Sequence, residues 1–350
     1  MKIALTGGGT GGHIFPAIAV GEALARRGHE VFYVGSSGLE SRLAPKHFPF
    51  YEIAAGKLDR TALRPAEALK VAKGLAQALA LARRMRPDAV FATGGYAAFP
   101  FAFAASTLGS PLILHEQNAA LGLANRLLVR RARLLTLAVP ANLPPMLKAR
   151  AQVVGMPVRE VRHPREAARR QLGLDQQRPT LLVLGGSQGA RVFNQRLPAL
   201  LAPFLDRIQV VHQTGIRWLE ETRATFSHPH YHFVDFLDTT LAWSASDLAV
   251  TRAGAMTLAE AAYHGVPLII VPLPSSAGGH QEKNARLYEA RGAARVVLQE
   301  RIEALGEHIE ALLDPETRRA MRKALQTLSP AGSAERLASL IESCLKGVTA

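Results

Sequence analysis

At 350 residues the chain is long enough for two domains that each bury a core, and 48% hydrophobic with 20% charged residues excludes a disordered class. A single cysteine, Cys344, excludes an internal disulfide framework and fits a reducing compartment. The 42 basic and 28 acidic residues leave +14 unevenly spread: residues 1–160 hold 20 against 9 and residues 161–350 hold 22 against 19, which points to an anionic partner such as nucleic acid, a phospholipid surface or a phosphorylated substrate.

The first residues run directly into "KIALTG", so no secretory signal peptide is expected. Strand-like runs then follow in order: "EVFYVG", "PDAVFATGG", "PLILHEQN" and "LLTLAVP", and later "TLLVLGGS", "IQVVHQTG", "YHFVDF", "DLAVTRAG", "PLIIVPLP" and "AARVVL". Helical patterns separate most of them. Continuous apolar runs of this length between helices predict parallel strands covered on both faces, a doubly wound α/β architecture. "AAFPFAFAASTLGSPLIL" (97–114) is broken by Pro100, Gly109, Ser110 and Pro111, so it reads as buried α/β core and not as a membrane span. "KIALTGGGTGGH" and "TLLVLGGSQGAR" form a weak repeat of strand, glycine-rich turn and helix start. The Pro-containing "VVGMPVRE" (153–160) lies between them. Two Rossmann-like domains are therefore predicted, 1–160 and 161–332. A last helix over about 333–350 follows the break "SPAGS" and is free to pack back on either domain, the first included.

The chemistry-bearing motifs cluster after strands. In "LTGGGTGGHIFPA", Gly7, Gly9 and Gly12 formally satisfy G-x-G-x-x-G. The dinucleotide reading also requires an acid at the end of the next strand, where Gly35, Ser36 and Ser37 stand instead. The second half likewise ends "QVVHQTG" without an acid. NAD is therefore disfavoured, while backbone amides at a helix start still suit an anion or diphosphate. His13 closes the loop, as a capping or packing histidine or as a catalytic or ligand-orienting imidazole that serves as general base. "ATGGYAAFP" supplies Tyr96, and "LILHEQNAALG" supplies His115, Glu116, Gln117 and Asn118, at the strand ends where ligands of open α/β sheets gather.

In the second half, Ser187 lies in a second glycine turn, and "VTRAGAMTLAEAAYHG" offers Arg252, Thr257 and Glu260. A guanidinium and a helix start favour a diphosphate, and a carboxylate can accept both ribose hydroxyls; the plainer reading makes Thr257 and Glu260 a capping box. "SSAGGHQEKNA" adds His280 and Gln281. No D-x-D pair, H-E-x-x-H, cysteine cluster, Walker sequence or G-x-S-x-G elbow occurs, so no metal site and no cofactor is expected. RNA-recognition and zinc-finger signatures are absent as well. Lys70, Lys73, Gln77 and Arg84 recur at helical spacing beside Leu69, Ala76, Leu79 and Met85, and Arg126, Arg130, Arg131 and Arg133 follow. These read either as solvated helix faces or as a seat for anionic lipid.

"GGTGGHIFPA", "GGY", "LHEQN", "GMPVR", "GGSQGAR", "RAGAMTLAE" and "HQEKNA", in this order and over nearly the whole chain, resemble the MurG family. These are the bacterial UDP-N-acetylglucosamine:lipid I N-acetylglucosaminyltransferases of peptidoglycan synthesis. The resemblance implies a GT-B fold, two Rossmann-like domains facing each other across a cleft, with acceptor and membrane on the first and donor on the second. It implies inverting transfer of GlcNAc from UDP-GlcNAc to the 4-hydroxyl of MurNAc in lipid I, giving lipid II for cell-wall synthesis, cell shape and division. The enzyme would sit peripherally on the cytoplasmic face of the inner membrane, on anionic lipid, near other cell-wall synthesis proteins and without nucleic acid.

Carried over residue by residue, Thr10, Gly11, Gly12 and Asn118 would reach the sugar nucleotide from the first domain; Tyr96 and Glu116, read from their own loops and not from the resemblance, join them as substrate-binding candidates. Arg159, Ser187, Leu237, Gln281 and the run Ala255, Met256, Thr257, Leu258, Ala259 and Glu260 would form the donor site. His13 would be the base, facing the acceptor with the glycine loop at its diphosphate, and Arg252 would support the leaving diphosphate. Two positions depart from the family pattern: Met156 stands where Asn is frequent before "PVR", and His280 where some members have Gln. Rival readings are another GT-B UDP-sugar enzyme, such as a UDP-GlcNAc 2-epimerase or a lipid galactosyltransferase, an NAD-dependent oxidoreductase, and a basic nucleic-acid-binding protein.

Overall fold

The computed structural model describes residues 1–56 and 65–346; residues 347–350, the end of the expected last helix, lie outside the described set. The chain divides into two compact units, Met1–Val158 together with the segment from Ala331 onward, and Arg159–Pro330.

The first unit holds β1 (Lys2–Thr6), β2 (Glu30–Gly35), β3 (Phe50–Glu52), β4 (Ala89–Ala92), β5 (Leu112–Glu116), β6 (Ala132–Leu137) and β7 (Ala151–Val153). They form one parallel sheet in the order β3-β2-β1-β4-β5-β6-β7. Side-chain alternation divides the core between its two faces. Ile3 and Leu5 join Ile14, Ile18, Tyr33 and Ile113 on one face, while Ala4 joins Phe32, Val34, Val90 and Phe101 on the other. Both faces are buried, which is why these strands read as unbroken apolar runs.

The Ser333–Lys346 helix belongs to this unit. Its Leu337, Ala338 and Ile341 enter the cluster of Ile14 and Ile18, and it packs on the Gly11–Arg26 helix. Arg26 and Arg27 pair with Glu335, and Glu342 accepts from Arg27 and faces His29 Nε2 at 2.8 Å.

The second unit holds β8 (Thr180–Leu184), β9 (Gln209–Gln213), β10 (Tyr231–Val234), β11 (Leu248–Thr251), β12 (Leu268–Ile270) and β13 (Ala294–Val296). They too are parallel, in the order β10-β9-β8-β11-β12-β13. The feet of β8 and β11 are tied by a buried ion pair. Asp247 accepts from Arg169 Nη2 at 2.7 Å, from the Thr180 amide at 2.8 Å and from Arg165.

In each sheet the winding reverses beside the unit's first strand, between β1 and β4 and between β8 and β11. The crevice beyond the carboxyl ends of those strands is where doubly wound sheets hold ligands. The two glycine turns sit there, directly after β1 and β8.

Candidate functional site

In the first unit the turn after β1 leads into the Gly11–Arg26 helix, so Thr10 is its N-cap and Gly11, Gly12 and His13 are its first three residues. The glycines do not mainly open this loop to a ligand; the protein fills the space they leave. A side chain at Gly95 (φ +81°) would put a Cβ 2.0 Å from Gly8 O, and one at Gly9 (φ +87°) would meet the Tyr96 ring at 2.8 Å. The loops after β1 and β4 thus close on each other, joined by Gly8 N–H donating to Gly94 O at 3.3 Å.

Beneath the turn lies Glu40, fully buried, a carboxylate that the sequence reading missed. Its Oε2 accepts from the Gly9 amide at 3.1 Å, and its Oε1 from the Ser36 hydroxyl at 2.6 Å and amide at 3.2 Å. Tyr33 Oη donates to Gly7 O at 2.7 Å. The amides of Gly8 and Gly9 are therefore spent inside the protein. Those of Gly11 and Gly12 make no hydrogen bond among the described residues, as expected at a helix start without a side-chain cap. Any diphosphate seat at this loop narrows to that first turn.

His13 is half-buried, with Nδ1 2.9 Å from Thr93 O. A carbonyl can only accept, so neutral His13 carries its proton on Nδ1 and its lone pair on Nε2. Thr93 fixes this arrangement twice, because its hydroxyl donates to His13 O at 2.7 Å while its carbonyl also accepts from Gln117 Nε2 at 2.6 Å. Such an imidazole is oriented to take a proton at Nε2.

The loop after β5 is held by Glu116, whose Oε1 accepts from both nitrogens of Asn118 and whose Oε2 accepts from Gly122 N and Asn125 Nδ2. Glu116 is buried and acts as the brace, leaving Asn118 half-exposed. His115 is buried beside Thr136, and burial lowers its pKa to about 3, so it stays neutral. Tyr96 is half-buried against Gly9. Thr10, Gly11, Gly12, His13, Tyr96, Glu116 and Asn118 therefore converge at the carboxyl ends of β1, β4 and β5.

In the second unit, a pocket of about 600 Å³ opens over the turn after β8. Arg252, Thr257 and Gln281 line it, with Arg191, Gln195 and Gln299, which sequence reasoning did not single out. Gln281 Oε1 accepts from the amides of Ala253 and Leu273, at 3.2 and 3.0 Å, and so ties the loops after β11 and β12 together. Ser187 is exposed in the turn itself, and Leu237 is buried in the loop after β10; neither lines the pocket. His280 Nδ1 lies 2.8 Å from Ala277 O. Met156 is buried just before the boundary between the units.

The capping-box reading of Thr257 fails. The helix runs Ala255–His264 with Gly254 as N-cap, so Thr257 is its third residue and Glu260 lies beyond the first turn. Instead, Glu260 Oε2 accepts from the indole N–H of buried Trp243 at 3.1 Å. Burial raises the Glu260 pKa to about 7; Trp243 and the nearby Arg159 offset only part of that. Arg159 Nη2 donates to Asp238, at 2.7 Å to Oδ2, and to Thr240 Oγ1 at 3.0 Å. Burial pushes the Asp238 carboxyl up, but Thr240 and Arg159 outweigh it and bring its pKa to about 2. Leu258 and Ala259 face the core, while Ala255, Met256, Thr257 and Glu260 are half-exposed.

Two parallel sheets wound in this way, each with a glycine turn and a helix start at its switch point, are the two Rossmann-like domains from which a GT-B glycosyltransferase is built. Models of the glycosyltransferase family 28 N-terminal domain match residues 3–135 and of its C-terminal domain residues 180–339. A UDP-N-acetylglucosamine–N-acetylmuramyl-(pentapeptide) pyrophosphoryl-undecaprenol N-acetylglucosamine transferase of Thermus thermophilus is 55% identical, covering 98% of this chain and all of that protein. One of Deinococcus radiodurans is 42% identical, over 97% of this chain and 95% of its own. The crystal structure of Acinetobacter baumannii MurG superposes with a TM-score of 0.81 at 32% identity, covering 98% of this chain and 99% of its own. The chain belongs to the MurG family of N-acetylglucosaminyltransferases.

Proposed function

We propose that this enzyme moves GlcNAc from UDP-GlcNAc to the 4-hydroxyl of MurNAc in lipid I, making lipid II with inversion at the sugar C1. The whole-length likeness to transferases named for that reaction carries the reading. The first unit takes the acceptor and the second takes the donor. Glu260 accepts the ribose hydroxyls, Leu237 meets the uracil through its backbone, and Gln281 holds the loops that bound the pocket. Ser187, Arg159 and the Ala255–Glu260 turn complete the donor seat, and Thr10, Gly11, Gly12 and Asn118 are further contacts for the sugar nucleotide.

In the reaction the acceptor O4 forms a bond to C1 as the bond from C1 to the UDP oxygen breaks. The O4 proton passes to His13 Nε2, and UDP leaves with the bonding pair. Thr93 supports this role for His13 by holding Nδ1–H, and Glu40 supports it by fixing the turn before it. Arg252 underlies the diphosphate from the pocket wall.

Among the described residues no helix is long and apolar enough to cross a membrane. We place the enzyme peripherally on the anionic cytoplasmic face of the inner membrane through its first unit. Leu69 is exposed on the Pro65–Met85 helix with exposed Lys70 and Lys73, and Leu127 on the Leu123–Leu128 helix with exposed Arg126; Leu108, Arg130 and Met146 are exposed elsewhere in the same unit. That mixture suits an interfacial seat. Leu79 and Met85, expected in the apolar surface, are half-buried.

UDP release from UDP-GlcNAc, with and without a soluble short-chain lipid I analogue, tests the reaction. Release that depends on the analogue and yields a disaccharide is the expected result. Release without acceptor, alongside free ManNAc, would make the protein an epimerase instead.

A further inference from the structure

Two cations stand in the wall of the second unit's pocket, Arg252 and Arg191, and they are in opposite states. Arg252 is 8% exposed and already committed. Its Nη1 donates to Val271 O at 3.0 Å and Pro272 O at 3.3 Å, its Nη2 to Gln299 Oε1 at 2.7 Å, and its guanidinium lies 4.6 Å from the centre of the Phe193 ring. To grip a ligand directly it would have to abandon those carbonyls and leave them buried without a donor, which costs more than the new bonds return. Arg252 therefore acts as a strut that fixes the loop after β12, and its charge reaches the pocket only at a distance.

Arg191 is the reverse case. It is the first residue of the Arg191–Leu201 helix, is exposed, and makes no hydrogen bond or ion pair among the described residues. Its contact is with the Trp218 ring, at 5.9 Å from the centroid, which gives the guanidinium a flat surface to lie on without using any of its donors. One turn further along the same helix, Gln195 also faces the pocket, and the turn before it is walled by Gly185, Gly186 and Gly189. A side chain built at Gly186 would meet nothing within 4 Å, so that part of the wall is open. The pocket thus has one planar cation with all five donors available, beside a glycine turn that lets a ligand come close.

We propose that Arg191 binds the diphosphate of the nucleotide sugar directly and neutralises the leaving UDP, with Arg252 as a positioning residue behind it. The inference rests on the reading above that this pocket holds the donor. A guanidinium can bridge two phosphate oxygens with parallel N–H donors, whereas an ammonium offers a single point of charge. As the bond from C1 to the UDP oxygen breaks, negative charge grows on the diphosphate, so the contact strengthens in the transition state.

The test compares Arg191→Met and Arg191→Lys with the wild type as full chains, measuring kcat/KM for UDP-GlcNAc and competitive inhibition by UDP and by uridine. Arg191→Met is expected to weaken UDP about 10- to 100-fold and to lower kcat/KM at least as much, with uridine inhibition unchanged. Arg191→Lys is expected to recover part of the UDP affinity. Equal UDP affinity in Arg191→Met and wild type would overturn the inference, as would an equal loss for UDP and uridine, which would mark a structural effect. The donor reading is tested separately by Glu260→Gln and Gln281→Ala. If both leave UDP binding untouched, the pocket is not the nucleotide site, and the failure lies there.

Discussion

Replacing Glu260 with Gln is expected to make the second unit more stable at alkaline pH while weakening its grip on UDP. The carboxyl, carried by the Ala255–His264 helix, is half-buried with the Trp243 indole as donor, and burial raises its pKa from 4.5 to about 7. Because the folded pKa lies above the unfolded one, the stability this group contributes is full below pH 4.5 and is lost as pH rises through about 7. The rise corresponds to roughly 3 kcal/mol, the cost of holding the ionised carboxylate in place at pH 8.

An amide of the same shape still accepts from Trp243 and carries no charge, so Glu260→Gln removes most of that cost. Trp218 and Trp243 are the protein's two tryptophans and both lie in the second unit, so fluorescence during urea unfolding reports this unit alone. The variant's midpoint should exceed the wild type's by roughly 1 M at pH 8 and nearly coincide with it at pH 4.5. UDP should bind about tenfold or more weakly at pH 8, since the ribose loses a charged acceptor. A variant no more stable than wild type at pH 8 would refute the claim that this carboxylate is held ionised at a cost.

Three further substitutions probe the other parts. His13→Gln should lower kcat by about 10²- to 10⁴-fold with little change in UDP inhibition, read by steady-state kinetics; near-normal kcat in a folded variant would remove His13 as the base. Glu40→Ala leaves the Gly9 amide and both Ser36 donors without their acceptor. It should cost the first unit about 2–4 kcal/mol by circular dichroism during denaturation and lower kcat through the loosened loop, whereas unchanged stability would deny Glu40 its bracing role. Asp247→Ala should destabilise the second unit by about 3–5 kcal/mol in the tryptophan assay, because Arg169, 1% exposed, would keep a buried charge without its partner; a loss under 1 kcal/mol would contradict this.

The eleven strands expected from the sequence are all present, because a strand buried on both faces must be apolar along its length and so announces itself. β3 and β7 escaped notice for the opposite reason. Each has three residues at a sheet edge, and neither Phe50–Glu52 nor Ala151–Val153 contains a fully buried side chain.

At the site, residue types and turns were legible, but hydrogen-bond partners were not. Glu40 sits ten residues after β2 begins, and only the folded loop brings it under Gly9; the run "GSSGLE", small residues leading to one acid, was the available signal. The glycines after β1 suggested an open phosphate cradle, whereas much of their room is taken by Thr93, Tyr96 and Glu40. Nothing in the string distinguishes Arg252, whose donors are spent on carbonyls, from Arg191, whose donors are not.

The return of the Ser333–Lys346 helix to the first unit bears on how the protein is made. The first unit is split in sequence, with all of Arg159–Pro330 between its two pieces. On a ribosome, the second unit has its full complement of residues while the Ile14 and Ile18 face of the first still awaits Leu337 and Ile341. The half that comes first in the chain is therefore the last to be completed, and a nascent chain stalled before Ala331 carries an uncovered apolar strip for chaperones to find.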